Sequence, residues 1–282
     1  MLAIHSDWTK PKTCENGLFY IEDFDILTTI LSALKWREKN GSIKMATDSV
    51  GYEFYKKRDL LGIWDEVTTE LDDIPEWVNP RMFWAAGKLF ALKNADVPVA
   101  VTDMDFIVWD RIAFNNLEDL TVIHREDIYD DVYPDIHHFQ MKRHYIFNPD
   151  LDWREKPSNT AFYVIKNKRL RDMYIKEAEN FIKNTESGDN LTYMVFAEQR
   201  LLSMCAKAQG IEINNFSSLD RLFYDGEKYF THTWGMKQQM RENSRLRYDF
   251  SMRCIRRIKE DFGEYSSILK KIPELSQYSS YI

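Results

Sequence analysis

The chain has 282 residues, of which 44% are hydrophobic. This suits one large α/β domain, because single hydrophobic cores stop growing near ~250–300 residues. The formal net charge of −7 argues against a dedicated nucleic-acid-binding protein, whose affinity rests on neutralising phosphates. The three cysteines lack metal-type spacing, so they predict neither a disulfide framework nor a zinc site.

The N-terminal sequence MLAIHSDW lacks the basic and long apolar regions of a secretory signal. No run approaches the ~18 apolar residues that a membrane span needs. We therefore expect a cytoplasmic protein. The basic stretch 241–259 predicts a solvated helix face, which leaves a partner or a peripheral membrane contact open. The sequence predicts no oligomeric state.

Short β-like runs alternate with helical patterns along the first half of the chain, which predicts a mostly parallel sheet with helices on its faces. Apolar residues at Phe24, Leu27, Ile30 and Leu34 give the first long helix its periodicity. Pro80 is well placed to begin a later helix. The predicted strands are 2–5, 42–47, 66–71 and 97–102, and the predicted helices are 23–39, 52–61 and 80–93.

The second half is less regular. Residues 126–157 are rich in Asp, Tyr and His and predict a long loop, which in a compact domain usually serves as a lid or substrate loop. Its histidines, His137, His138 and His144, suit a plain surface, and the aromatic residues beside them leave contact with a sugar acceptor as the alternative. The last helical pattern predicts an extension, 236–282, that packs on the domain formed by 1–235. The predicted strands are 107–109, 121–124, 160–165, 211–216 and 228–232, and the predicted helices are 168–183, 191–209 and 236–262.

The pattern D-x-D occurs three times, at residues 23–25, 103–105 and 150–152. In an extended segment residues i and i+2 point to the same side, so two carboxylates can converge on one cation. Only Asp103 and Asp105 follow a strongly apolar strand, and open α/β sheets bind ligands beyond the carboxyl ends of their strands. The first pair begins a helix, where acids complement the helix dipole, and the third lies in a polar loop.

The chemistry of carboxylates explains why Asp103 and Asp105 are a candidate metal site. A hard cation such as Mg²⁺ or Mn²⁺ takes one or two carboxylates and fills its other positions with diphosphate oxygens and water. Such an ion neutralises the charge that develops on a departing nucleotide diphosphate. Asp103 and Asp105 are therefore predicted metal ligands. The alternative is a surface turn with exposed acids.

Residues 84–109, WAAGKLFALKNADVPVAVTDMDFIVW, resemble the helix–strand–D-x-D segment of GT-A glycosyltransferases, and also uncharacterised bacterial proteins with a similar helix. The resemblance implies an α/β GT-A fold, with a Rossmann-like, mostly parallel central sheet flanked by helices. It also implies metal-dependent transfer of a sugar from a nucleotide-diphosphate sugar, with UDP-sugar favoured, to a glycan or other hydroxyl acceptor.

The same resemblance implies donor-binding residues. His5, Ser6 and Trp8 follow the first strand, where such enzymes hold the nucleotide, and Asp48 ends the second strand near the expected base or ribose. Lys88 lies on the helix before the metal strand, where related enzymes place a basic residue over the donor. Trp8 in the core and Lys88 on a solvated helix face are the alternatives.

Near the C-terminus, His232, Gly235 and Lys237 resemble the histidine–glycine–lysine element of some retaining members. There the histidine is a third metal ligand and the lysine meets the diphosphate. An imidazole ligand favours Mn²⁺ over Mg²⁺. Because this element resembles that of retaining members, it favours a prediction that the anomeric configuration is retained.

Asn159 resembles the asparagine of a turn near the donor sugar, and Glu198 with Gln199 resembles an acidic–glutamine pair at the active site. Glu198 would activate an acceptor hydroxyl as a base or orient the donor sugar. The alternative is a glutamate favoured by the dipole at a helix start. Trp84 is expected in the core.

Two other functions fit parts of the pattern. A catalytically degenerate, carbohydrate-binding or scaffold relative would keep the fold, but three predicted metal ligands argue against it. A sugar-phosphate nucleotidyltransferase has a similar alternation of elements. It needs an N-terminal glycine-rich loop that this sequence lacks.

Overall fold

The computed structural model describes residues 1–223 and 226–282. Its strands are short, and those of the central sheet are largely buried. They are β1 (Leu2–Asp7), β2 (Ile43–Thr47), β3 (Glu66–Thr68), β4 (Val99–Thr102), β5 (Phe106–Val108), β6 (Leu120–Val122), β7 (Gln140–Met141), β8 (Phe162–Ile165), β9 (Thr185–Ser187), β10 (Ile213–Asn215) and β11 (Phe230–His232).

A π-helical turn, Phe196–Arg200, joins two of the helices, α6 and α7. None of the helices formed by the described residues has the length and apolar character to span a bilayer. The α-helices are α1 (Lys10–Asn16), α2 (Asp23–Lys39), α3 (Ser49–Lys56), α4 (Ala86–Lys93), α5 (Lys168–Asn184), α6 (Thr192–Val195), α7 (Leu201–Ala208), α8 (Leu219–Phe223), α9 (Lys237–Glu242), α10 (Ser244–Asp261) and α11 (Ser266–Leu269).

Seven strands form the central sheet in the order β10-β6-β8-β4-β1-β2-β3. Strand β8 runs antiparallel to both of its neighbours, and the other pairings are parallel. Two small antiparallel pairs, β5 with β11 and β7 with β9, lie outside this sheet. The predicted α/β class, with a mostly parallel central sheet flanked by helices, is confirmed.

Alternate residues of the central strands face opposite sides of the sheet, as strand geometry requires. Val99 and Val101 of β4 pack with α4, α5 and α7, whereas Ala100 packs with α2 and α10. Both faces are therefore buried, which explains why β4 reads as a continuous apolar run. Its carboxyl end leads directly into Asp103.

Several helices differ from the predicted boundaries, among them α3, which spans Ser49–Lys56 rather than 52–61. Helix α4 begins at Ala86 rather than at Pro80. Asn79 caps a single turn by accepting from the amides of Arg81 and Met82, but the helical ladder is interrupted at Ala85, whose amide donates to Met194 Sδ at 3.3 Å. The single terminal helix is two helices. Asn243 has an extended backbone and caps α10 by accepting from the amide of Leu246.

The C-terminal segment packs on α2. The buried carboxylate of Asp23 accepts hydrogen bonds from Arg247, Gln277 and Tyr278. Apolar residues of α10 also belong to the same hydrophobic cluster as α2. The extension thus shares a core with the sheet, and a domain division at residue 235 stays a prediction.

Candidate active site

The turn after β4 carries both predicted acidic ligands. The Asp103 amide donates to the carbonyl of Ala161 at 2.7 Å, and the Phe106 amide closes the turn on the Asp103 carbonyl at 3.0 Å. Strand β5 then pairs with β11 in a register that sets Phe106 opposite His232. The pairing brings a residue from near the C-terminal end of the sequence beside Asp105.

The side chains of Asp103, Asp105 and His232 each offer one ligand atom, and these atoms lie within 4.8 Å of one another. Oxygen ligands sit about 2.1 Å from Mg²⁺, so donors on one ion are at most about 4.2 Å apart. Little side-chain movement would bring the three onto one ion. Two carboxylates and one imidazole form a set suited to Mn²⁺ or Mg²⁺.

A partly buried lysine accompanies each carboxylate. Lys88 Nζ lies 2.7 Å from Asp103 Oδ1 and also forms an ion pair with Glu198. Lys237 Nζ lies 3.1 Å from Asp105 Oδ2 and 3.0 Å from Asp25 Oδ1. The centre therefore holds two ammonium groups beside the acids, and both could meet an anionic ligand.

Burial and charge set the ionisation of this cluster. Burial lowers the pKa of Lys88, but Asp103 and Glu198 outweigh it, so the pKa is raised overall. Burial favours a raised pKa for Asp105, yet Lys237 and His232 outweigh it and hold that pKa below its usual range. Burial lowers the pKa of His232 despite the nearby Asp105. An ionised Asp105 and a neutral His232 are the forms that bind a metal.

A cavity of about 460 Å³ opens over this cluster. The exit of β1 and the start of α4 form one side of it. A Cβ on Gly87 would come within 2.9 Å of Ser6 Oγ, so glycine lets α4 approach β1 closely and brings Lys88 to Asp103. The predicted site residues on its wall are Ser6, Trp8, Lys88, Asp103, Asp105, His232 and Lys237.

A model of the protein family described as a family of unknown function, DUF6734, matches residues 1–241. The chain belongs to this family. No curated protein sequence matches this DUF6734 chain.

Solved structures similar to the DUF6734 chain include apo mouse xyloside xylosyltransferase 1, at 12% identity over 82% of this chain and 96% of that chain, with a TM-score of 0.43. The PaToxG glycosyltransferase matches at 11% identity over 98% and 84% of the two chains, with a TM-score of 0.44. The CTP:phosphocholine cytidylyltransferase LicC of Streptococcus pneumoniae matches at 10% identity over 77% and 88%, with a TM-score of 0.36. At these TM-scores the likeness assigns no activity to the DUF6734 protein.

His5 requires a correction. Its ring is fully buried in the DUF6734 fold, with Nε2 3.0 Å from Ser32 Oγ and Nδ1 accepting from Trp64 Nε1 at 3.0 Å. Burial lowers the pKa of His5 to about 3. Since Ser32 in turn donates to the carbonyl of Phe106, His5 supports the start of β5 from behind and does not face a nucleotide.

Asp48 is also corrected. Its carboxylate caps α3 by accepting from the Gly51 amide at 2.9 Å, and it accepts from the Thr9 amide at 2.8 Å. These hydrogen bonds commit the Asp48 carboxylate to nearby backbone amides, as is usual for an aspartate at a helix start. Asp48 thus fixes the loop after β1 instead of contacting a base or ribose.

Asn159 and Glu198 lie behind the cavity wall. Asn159 donates to Glu126 at 2.9 Å and accepts from the Ala161 amide at 3.0 Å, so it shapes the turn on which Asp103 rests. Glu198 is buried in the π-helical turn, a type of irregularity frequent at functional sites. Burial raises its pKa despite the Lys88 ammonium. The geometry suits a positioning role towards Lys88.

Several residues on the cavity wall were not predicted from the sequence, among them Asp7, Asp25, Trp84 and Trp234. Asp25 belongs to the D-x-D pair that was assigned to the helix dipole, yet it holds Lys237. Asp7 ends β1 and accepts from Tyr55 Oη at 2.6 Å, and burial raises its pKa. Its position at a strand end was the available signal. Trp84 was expected in the core and is 47% exposed.

Proposed function

We propose that this DUF6734 protein is a metal-dependent glycosyltransferase. It would transfer a sugar from a nucleotide-diphosphate sugar, with UDP-sugar favoured, to a glycan or other hydroxyl acceptor. The observation that carries the proposal is the convergence of Asp103, Asp105 and His232 on the wall of a ligand-sized cavity. This edge lies at the carboxyl ends of the parallel strands, where open α/β sheets bind ligands.

The three side chains would hold Mn²⁺, or Mg²⁺ as the alternative, and the bound ion would neutralise charge on the donor diphosphate. Lys88 and Lys237 add fixed positive charge at the same wall. Because both are partly removed from water, their attraction for a departing diphosphate is stronger than it would be at a fully exposed surface. Leaving-group stabilisation is thus the chemistry that this centre supports best.

The reaction course follows from the same charges. Glu198 is held by Lys88 behind the wall, so its geometry does not support a base that activates an acceptor hydroxyl. A front-face substitution relies on stabilising the leaving group more than on such a base. We therefore favour retention of the anomeric configuration.

A catalytically degenerate, carbohydrate-binding relative is the second candidate. The Lys88–Asp103 and Lys237–Asp105 ion pairs favour it, because they neutralise both acids without a cation. In that case the cavity would bind a ligand without turning it over.

A donor panel separates the two functions. The full chain is incubated with UDP- and GDP-sugars and MnCl₂, and released nucleotide is measured without an acceptor, since many transferases hydrolyse their donor slowly. We expect release that EDTA and Asp105→Ala abolish, while Asp150→Ala, at an exposed D-x-D pair, retains it. A Mn²⁺-dependent melting shift with UDP or GDP but no release would favour the second candidate, and the absence of both would refute the proposal.

A further inference from the structure

Two large, exposed tryptophans belong to the cavity described above. Trp84 is 47% exposed and Trp234 is 66% exposed, and both line the cavity wall. An indole exposed in this way leaves apolar surface in contact with water. Ligand pockets are commonly lined by aromatic side chains with a few polar groups beside them. These two rings are therefore suited to a ligand.

Both rings are held in defined orientations. Trp84 donates from Nε1 to the carbonyl of Asn190 at 3.0 Å. The Trp234 ring lies at 27° to the His232 ring, with their centroids 6.4 Å apart. A preset aromatic plane loses little conformational freedom when a ligand stacks on it. The pair thus has the rigidity of a recognition surface.

The two rings and the charged centre line the same cavity, and the rings come from different chain segments. Trp234 follows the candidate metal ligand His232 by two residues, and Trp84 precedes Lys88 by four. Other parts of the cavity wall carry the acids and lysines that suit a diphosphate. The aromatic planes differ in chemistry from these charged groups, and Asn190 and Arg81 add polar groups to the same wall.

We infer that Trp84 and Trp234 form the acceptor subsite and that the acceptor is a carbohydrate. The C–H face of a sugar ring stacks on an indole, while ring hydroxyls bond to neighbouring polar side chains. Among hydroxyl-bearing acceptors, a sugar ring offers the flat apolar face that these planes fit. The inference rests on the proposed function and narrows its acceptor to a glycan.

Binding is tested on the full chain with MnCl₂ and UDP present. An array of neutral oligosaccharides is screened, and the Kd of the best-bound one is then measured by calorimetry. We expect Trp84→Ala and Trp234→Ala each to weaken it at least about tenfold, as losing ~1.4 kcal/mol of stacking does. Trp77→Ala is the matched control, because Trp77 is 40% exposed and lines a different surface. Trp84→Phe and Trp234→Phe should restore part of the affinity.

Three results would overturn the inference. The wild-type chain binds no oligosaccharide on the array, or both alanine variants keep its affinity, or Trp234→Ala weakens binding of UDP alone and leaves oligosaccharide binding unchanged. Acceptor-free nucleotide release is measured in parallel in the wild type and in Trp77→Ala, where it should persist. If the wild type released no nucleotide but still bound the oligosaccharide through its tryptophans, the proposed catalysis would be refuted and the binding inference would stand.

Discussion

The Nζ atom of Lys237 lies 3.1 Å from Oδ2 of Asp105 and so joins α9 to the turn after β4. The same ammonium reaches Asp25 in the first turn of α2. Side chains from three segments that are distant in sequence therefore meet at the Lys237 ammonium group. A metal that binds Asp105 must share it with this lysine, and a diphosphate offers the lysine another partner.

Lys237→Met is expected to change cation and nucleotide binding in opposite directions. Without the ammonium, Asp105 and Asp25 attract Mn²⁺ more strongly, so the Kd for Mn²⁺ alone should fall several-fold. The Kd for UDP with Mn²⁺ should rise about tenfold, as the loss of one charge-assisted bond implies. Calorimetric titrations measure both constants. Exposed Lys228→Met is the control, and parallel changes of both constants would contradict the shared role of Lys237.

Lys88→Met should destabilise the fold, because the buried Glu198 would lose its ammonium partner. Breaking a buried ion pair from one side costs about 3–5 kcal/mol. Adding Glu198→Gln should recover a large part of that loss, since the amide carries no charge. Urea unfolding gives the free energies of both variants and of wild type. Equal stabilities of the single and double variants would show that Glu198 does not depend on Lys88.

His232→Ala should raise the Mn²⁺ concentration needed for nucleotide release while the fold persists. Loss of a residue that only supports a metal ligand lowers metal affinity by about tenfold or more. We expect the loss of one of three protein ligands to lower it at least as much. The measurement is nucleotide release against MnCl₂ concentration. An unchanged titration would assign His232 to structure alone.

Acid should destabilise the protein through His5. Its pKa of about 3 in the fold lies below the ordinary 6.5, so between these values the unfolded chain binds a proton that the folded chain does not. The free energy of unfolding therefore falls by up to about 1.4 kcal/mol per pH unit as pH drops through this window. Above pH 6.5 the contribution is complete.

Urea unfolding at several pH values between 4 and 6 measures this slope. His5→Asn should lower the slope by about one proton, and exposed His137→Asn is the matched control. If His5→Asn left the slope equal to that of wild type, the buried neutral imidazole would not be the cause of the acid sensitivity.

The sequence predicted those helices and strands that depend on the spacing of residues close together along the chain. The bounds of α2 agree with its apolar spacing, and the apolar run before Asp103 predicted a buried strand. The turn after that strand could be recognised because two acids at alternate positions follow a fully buried segment. His232 was singled out because Gly235 and Lys237 follow it.

Features that depend on contacts between distant segments could not be predicted this way. Asp25 suited a helix dipole, and its bond to Lys237 exists only because α9 packs near α2. Trp84 was expected in the core. The Ala85 amide donates to Met194 Sδ, a residue distant in sequence, and α4 begins only at Ala86. The Trp84 indole lies exposed on the cavity wall.

Direct measurement of Mn²⁺ binding tests the central claim most closely. The full chain with UDP is titrated with MnCl₂, and free Mn²⁺ is followed by its electron paramagnetic resonance signal. We expect one bound ion per wild-type chain, loss of that ion in Asp105→Asn, and its retention in Asp150→Asn. Undiminished binding of Mn²⁺ by Asp105→Asn would contradict a metal centre at Asp103, Asp105 and His232.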